Sequence, residues 1–149
     1  NHEIYCKKNN KIPVVRLNTT SDVLFERKKF SFMQNFPNII FYDYTKHFNR
    51  MIKYLKGELP SNYHLTFSRN EVNDFQATQV LKAGGNVAVV FRKELPKTYK
   101  GFKVITGDEH DLRFLDQKNV VVGLKEKLSL NKATGKLDRD KSGFVVDLK

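Results

Sequence analysis

The sequence of 149 residues contains one cysteine, Cys6, and no tryptophan. A single cysteine excludes an intramolecular disulfide framework, a four-cysteine zinc site and a cysteine-ligated iron–sulfur cluster within these residues. The longest apolar runs, such as Val87–Phe91, have the length of a β-strand, so none of them could span a bilayer as a helix. The sequence also lacks a Walker A motif and a G-x-S-x-G elbow, and Gly84-Gly85 alone is not a dinucleotide fingerprint. No motif therefore identifies a reaction.

The charge of the chain is strongly unbalanced. It carries 27 Lys+Arg against 16 Asp+Glu, a net charge of +11, while 40% hydrophobic and 29% charged residues are ordinary for a globular protein. Such a surplus attracts polyanions, of which nucleic acid is the commonest, although a basic surface also serves solubility. We expect a protein of the host-cell cytoplasm that contacts nucleic acid rather than membranes.

Strand-like and helical patterns alternate through the first two thirds of the chain. One face of a predicted helix over 46–56 carries Phe48, Met51, Ile52 and Leu55, at i, i+3, i+4 and i+7. A second helix is predicted from residue 69 or 70 to 83, with Ser68 and Glu71 as a capping box, and a third within 23–36. The strand-like apolar runs cover 14–17, 39–42, 63–67 and Val87–Phe91.

This alternation predicts βαβ units and therefore an α/β fold with a mostly parallel sheet flanked by helices. Further strands are predicted at 103–106, 120–124 and 143–148 with no strong helix between them, and 125–141 has the character of a long β-connection. We therefore expect a mixed or antiparallel C-terminal β extension. The predicted organisation is an irregular basic N-terminal arm over 1–12 and one α/β domain over 13–149.

Polar residues follow each of the first four predicted strands. In an open parallel sheet, ligands bind outside the carboxyl ends of the strands, where helix N-termini attract phosphate. Helix caps and turns are the alternative explanation for Asp22, Asp43 and Ser68, and a solvated loop position is the alternative for Arg69 and Arg92. The residues expected to gather at this edge are Asp22, Asp43, Lys46, Ser68, Arg69 and Arg92.

The segment 107–116 concentrates carboxylates around His110, a composition that could bind a divalent cation or supply acid–base groups. Its spacing matches no established metal motif, and an exposed acidic turn explains it equally well. We expect no metal site and no cofactor, and His110 joins Asp22, Asp43 and Ser68 only as a candidate catalytic group.

The predicted helix over 46–56 has a basic side opposite its apolar face. Lys46, Arg50 and Lys53 lie there, and cations at this spacing can follow the phosphates of a nucleic acid. A solvated surface helix would carry the same charges. We expect Lys46, Arg50, Lys53, Arg69 and Arg92 to bind phosphate, which gives affinity without sequence selection.

Several stretches together resemble a family of uncharacterised proteins encoded by bacteriophages and plasmids. The resemblance covers roughly 13–148 and rests on five stretches. These are VRLNTTSD at 15–22, FYDYTK at 41–46, LTFSR at 65–69, GGNVAVVF at 84–91, and 107–116 followed by VVGLK at 121–125. Longer relatives look like iron–sulfur-type partial α/β barrels with an upstream cysteine-rich segment, of which this chain has only Cys6. The resemblance implies an α/β fold and a mobile-element origin, and it implies no activity.

Three functions are consistent with these observations. The leading hypothesis is a phage or plasmid accessory protein that binds DNA or RNA through phosphate contacts. The second is an enzyme, or the remnant of one, with its site at the carboxyl ends of the strands. The third is a phage factor that binds a host protein, which an exposed apolar patch would favour.

Overall fold

The computed structural model describes residues 1–27, 32–130 and 134–148. Nine strands lie in the described residues, and the bounds of the strands and helices follow. The strands are β1 (Val14–Arg16), β2 (Ile40–Thr45), β3 (Tyr63–Ser68), β4 (Val87–Phe91), β5 (Thr98–Tyr99), β6 (Phe102–Thr106), β7 (Val121–Lys125), β8 (Ser129–Leu130) and β9 (Leu137–Asp138). The α-helices are α1 (His2–Lys8), α2 (Phe48–Leu55) and α3 (Asp74–Lys82), and short 3-10 segments lie at Phe25–Arg27, Phe32–Asn35 and Arg113–Leu115.

Seven of the strands form one sheet in the order β1-β2-β3-β4-β7-β6-β5. The pairs β1–β2, β3–β4, β4–β7 and β6–β7 are parallel, and β5 is antiparallel to β6. Strands β8 and β9 pair separately as an antiparallel ribbon near the C-terminus. The predicted α/β class, with a mostly parallel sheet and an antiparallel extension, is confirmed.

The chain divides into two compact units. The first unit comprises Asn1–Thr66 and Leu112–Asp116, and the second comprises Phe67–Asp111 and Gln117–Lys149. The prediction of one domain over 13–149 stays a prediction.

The prediction of an irregular N-terminal arm over 1–12 is wrong, because α1 lies within these residues and its Cys6 is buried. A helix of seven residues with one buried side chain has too little apolar periodicity to be read from sequence.

Helix α2 places its apolar face in the core of the first unit. Met51 is completely buried there, together with Met33, Phe41 and Leu65. The helix ends where the sequence predicts, because Gly57 adopts a left-handed φ of 73° and its N–H donates to the carbonyl of Tyr54 at 2.9 Å.

The core of the second unit is built around β4 and β7. Val87 and Val89 of β4 and Val121 and Val122 of β7 are completely buried, and Val80 of α3 is completely buried as well. The continuous apolar run of β4 predicts a strand covered on both faces, and four of its five residues are buried.

The predicted capping box of Ser68 and Glu71 is wrong. Helix α3 begins at Asp74, and the preceding loop is closed by two asparagines instead. The side chain of Asn70 accepts from the N–H of Asn73 at 2.9 Å, and the side chain of Asn73 accepts from the N–H of Asn70 at 2.7 Å. Asparagine competes for local backbone groups in this way, so the helix starts several residues later than predicted.

Two further predicted elements differ from the structure. The strand predicted over 143–148 forms only an isolated bridge between Phe91 and Val146. The helix predicted within 23–36 is represented by two short 3-10 segments, while residues 28–31 of that prediction lie outside the described residues. Among the described residues, no helix has both the length and the apolar character that crossing a membrane requires.

Candidate functional site

Asp43 of β2 is the centre of a buried polar network in the first unit. Its side chain is completely inaccessible, and it accepts from the N–H of Asn18 at 2.7 Å and from the Asn18 side-chain amide at 3.0 Å. The hydroxyl of Tyr63 donates to the same carboxylate at 2.6 Å. Burial, and then this hydrogen bond to Asp43, raise the pKa of Tyr63 above its ordinary range. Asp43 therefore links β2 to the segment that follows β1 and to β3.

Arg50 of α2 joins this network from the other side. Its guanidinium donates to Glu26 from Nε at 3.0 Å and from Nη2 at 2.9 Å, and to Asp22 from Nη1 at 2.8 Å. It also donates to the hydroxyl of Tyr63. The side chain of Arg50 is only 1% exposed, against 24% for Asp22 and 7% for Glu26. We call Asp22, Glu26, Asp43, Arg50 and Tyr63 the buried arginine network.

The lysines of the same helix region face solvent. Lys46, Lys53 and Lys56 are exposed, whereas Arg50 is turned into the protein. In the part of the chain that the structure describes, neither Lys53 nor Lys56 contacts a carboxylate. The solvent-facing cations here are therefore lysines, which bind phosphate as point charges.

A cleft of about 280 Å³ lies beside α2 within the first unit. Three cations line it, against the carboxylates of Glu26 and Glu58. Because Arg50 pairs with Glu26, the other two cations of the lining accompany a single further carboxylate, that of Glu58. The cations of the cleft are Arg27, Arg50 and Lys53.

In the second unit, Arg69 follows β3 and fastens the C-terminal segment, residues 140–147. Its Nη1 donates to the carbonyls of Gly143 at 2.6 Å and Phe144 at 2.8 Å, and its Nε donates to Asp74 at 3.2 Å. Burial alone would raise the pKa of Asp74, but the hydrogen bonds and charges of Lys100 and Arg69 outweigh it and lower that pKa.

Arg92, directly after β4, fastens the same segment. Its guanidinium pairs with Glu126 at 3.2 Å and Asp147 at 2.7 Å, and it donates to the carbonyl of Asp140 at 2.8 Å. Its backbone N–H donates to Val146 at 3.0 Å. The side chain of Arg92 is 16% exposed and that of Glu126 only 5%, so this contact is largely shielded from water.

The fastened segment forms one wall of a groove at the carboxyl ends of β4 and β7, which we call the strand-end groove. Its volume is about 680 Å³, within the size range typical of small-molecule sites. The apolar side chains that line it are Val90, Leu124, Phe144 and Val145. The charged residues that line it are Asp108, Lys125, Glu126, Lys127, Asp138, Arg139, Asp140 and Lys141.

Asp140 gives the groove wall its shape. Its carboxylate accepts from the hydroxyl of Ser142 at 2.7 Å and from the N–H groups of Gly143 at 3.2 Å and Val145 at 3.1 Å. The Ser142 hydroxyl, followed by the Val145 N–H, lowers the pKa of Asp140. A carboxylate that accepts several N–H and O–H groups folds the loop around itself, as Asp does in turns.

The residues predicted to share one edge fall into both units. Asp22, Asp43 and Lys46 lie in the first, where Asp22 and Asp43 are linked through Arg50 and Tyr63. The second unit contains the other three, of which Ser68 is half-buried. His110, predicted separately as a candidate catalytic group, also lies in the second unit and is exposed. In the described residues, no group of three His, Cys, Asp or Glu side chains is arranged to hold a metal ion. Arg69 and Arg92, the last two of the residues predicted for this edge, both donate hydrogen bonds to the C-terminal segment.

Sequence reasoning missed the strand-end groove because its walls come from 125–145, which has no strong pattern of its own. The apolar run that forms β7 could have located the groove, because a binding groove is expected where parallel strands end. Tyr63 and Glu26 were also missed. The sequence presents Tyr63 as an ordinary strand aromatic and Glu26 as a charge within a weak helical pattern, and only the fold brings both to Arg50.

The family model described as Gene product 88 matches residues 1–148 of the chain. The search of curated proteins found no match, and the search of solved structures found none either.

Proposed function

Because the chain belongs to the Gene product 88 family, we propose that it is an accessory protein of a phage or plasmid that binds nucleic acid through phosphate contacts. The observation that carries this proposal is the combination of a net charge of +11 with solvent-facing lysines around α2. Phosphate contacts supply affinity without sequence information, so no base-reading element is required of this surface.

The structure divides the cations expected to bind phosphate into two groups. Lys46 and Lys53 are exposed and lie on or directly before α2, beside a cleft that Lys53 itself lines. Arg69 and Arg92 hold the C-terminal segment, and Arg50 holds α2 against two carboxylates. We therefore propose that the two lysines contact phosphate directly and that Arg50 maintains the helix from which Lys53 projects.

The proposal is tested by fluorescence anisotropy titrations of single- and double-stranded DNA and RNA at two salt concentrations. We expect affinity to fall steeply as salt rises, because bound lysines release counterions. The K46A/K53A variant should weaken binding and reduce the slope of log affinity against log salt. The expected reduction is about 1.8 for duplex DNA and about 1.4 for a single strand, if each lysine neutralises one phosphate.

The matched control is K97A/K118A, which removes the same charge from exposed positions of the second unit. It should lower affinity only through the net charge and leave the slope nearly unchanged. Absence of binding to every nucleic acid at low salt would refute the proposed function. Equal effects of the two double variants would refute the assignment to the α2 lysines.

A second candidate function is contact with a host protein. Val72 is 84% exposed and Phe75 is 76% exposed, at the loop before α3 and in its first turn. Large apolar side chains exposed this close together in the chain favour a surface that a partner protein covers. V72S/F75S should leave the melting temperature nearly unchanged and abolish any host-protein complex that the wild type forms, as measured by quantitative co-purification. Retention of the complex would contradict this candidate.

A further inference from the structure

We propose that the strand-end groove binds a nucleotide, with the base against its apolar floor and the phosphate at its cationic rim. The described residues that line this groove all belong to the second unit, whereas the α2 lysines belong to the first. The inference therefore does not depend on the proposed function of the first unit.

The position and the size of the groove suit a small ligand. It opens where β4 and β7 end in parallel, with Val90 near the end of the first strand and Leu124 near the end of the second. Ligands of open α/β sheets bind outside these strand ends. A volume of about 680 Å³ accommodates a ring system with a sugar and a charged group.

The floor of the groove is apolar and held in place. Val145 is 6% exposed, and Phe144 is tied to the body of the unit because its carbonyl accepts from Arg69. The N–H of Val146 donates to the carbonyl of Val90 at 2.8 Å, which fixes the segment onto β4. A preformed apolar floor with an aromatic side chain favours a planar base, which every nucleotide supplies.

The charged side chains around the floor favour a ligand that carries an anionic group. Glu126 pairs with Arg92, and Asp140 accepts from the N–H groups of its own loop, so both carboxylates are already satisfied. In the described residues, the exposed cations Lys127, Arg139 and Lys141 have no carboxylate partner, and they can receive a phosphate.

The groove also contains carboxylates, which would repel an anion that has no hydrogen-bond donors to offer them. Asp108 and Asp138 line it, and the first already accepts from the N–H of Lys125 at 3.0 Å. Carboxylate oxygens accept hydrogen bonds from the exocyclic amino groups of bases. A ligand with an anionic group, a planar apolar face and amino donors satisfies all three parts of the groove, and the nucleotides of adenine, guanine and cytosine have them all.

The test is isothermal titration calorimetry of the wild-type chain with the four nucleoside monophosphates, adenosine and ribose 5-phosphate. We expect at least one monophosphate to bind about tenfold tighter than ribose 5-phosphate, because only the nucleotide has a base that can stack on the floor of the groove. Adenosine monophosphate should also bind severalfold tighter than adenosine. No heat with any monophosphate at millimolar concentration would overturn the inference, and so would ribose 5-phosphate binding as tightly as the nucleotides.

Two variants separate the parts of the site. R139E/K141E changes only exposed residues, so it should remain folded and weaken monophosphate binding about tenfold while leaving adenosine binding unchanged. F144A should weaken both ligands, with its fold checked by circular dichroism. Unchanged monophosphate binding by R139E/K141E would overturn the inference. Competition between a labelled monophosphate and a short single-stranded oligonucleotide then shows which form of nucleotide the groove accepts. If the oligonucleotide displaces the monophosphate, the ligand is a nucleotide within a strand. If it does not, the ligand is a free nucleotide.

Discussion

Replacing Arg50 with leucine should lower the free energy of unfolding by about 3–5 kcal/mol, because it leaves buried carboxylates without their cation. The Arg50 side chain is 1% exposed, and the Glu26 carboxylate that it holds with two hydrogen bonds is 7% exposed. The substitution also removes a donor to the hydroxyl of Tyr63, which is itself bonded to Asp43. Urea denaturation followed by circular dichroism measures the loss.

Two further variants test whether the loss of stability comes from the buried ion pairs of Arg50. K53L removes an exposed cation from the same helix and should change stability by less than about 0.5 kcal/mol. Neutralising the carboxylates in R50L/D22N/E26Q should recover part of the loss, since the stranded charges are the cause of it. A loss below about 1 kcal/mol for R50L would contradict the structural role given to the buried arginine network.

Replacing Arg92 with methionine should cost about 2–5 kcal/mol and release the C-terminal segment. Glu126, only 5% exposed, loses its cation, and the carbonyl of Asp140 loses its donor. The bond from the Val146 N–H to Val90 should then open more often, so hydrogen exchange at Val146 should accelerate more than at Val89 in the centre of β4. Hydrogen exchange with urea denaturation measures both effects.

The matched control for this prediction is R139M, which removes an exposed arginine from the loop just before the same segment. It should change stability by less than about 0.5 kcal/mol. If R92M leaves exchange at Val146 unchanged, Arg92 does not hold the wall of the strand-end groove. If R139M is as destabilising as R92M, burial of the ion pair is not the cause.

The parts of the fold that follow from local patterns could be predicted from the sequence. The continuous apolar run of β4 and the apolar stripe of α2 each bury a surface whose period is visible in the chain. Short connections between such elements favour parallel strands, and the parallel pairs β1–β2 and β3–β4 are confirmed.

The predictions that failed concern features that depend on partners distant in sequence, or on side chains that compete with a helix for nearby backbone groups. Arg50 lies beside the lysines in the helical pattern, and its buried contacts with Asp22 and Glu26 come from a part of the chain distant in sequence. The two asparagines that delay the start of α3 are hydrogen-bonded to each other rather than to the helix. Of the candidate site, the positions of the polar strand ends could be predicted, while the use of Arg69 and Arg92 to hold the C-terminal segment could not.

Lysine footprinting tests the central claim, that the exposed lysines around α2 contact nucleic acid. The chain is acetylated with and without a saturating single-stranded or duplex oligonucleotide, and the modification of each lysine is quantified by mass spectrometry. The account predicts that the oligonucleotide protects Lys46 and Lys53 severalfold, and that Lys97 and Lys118 are modified equally in both samples. Protection of Lys97 and Lys118 with none at Lys46 and Lys53 would contradict it.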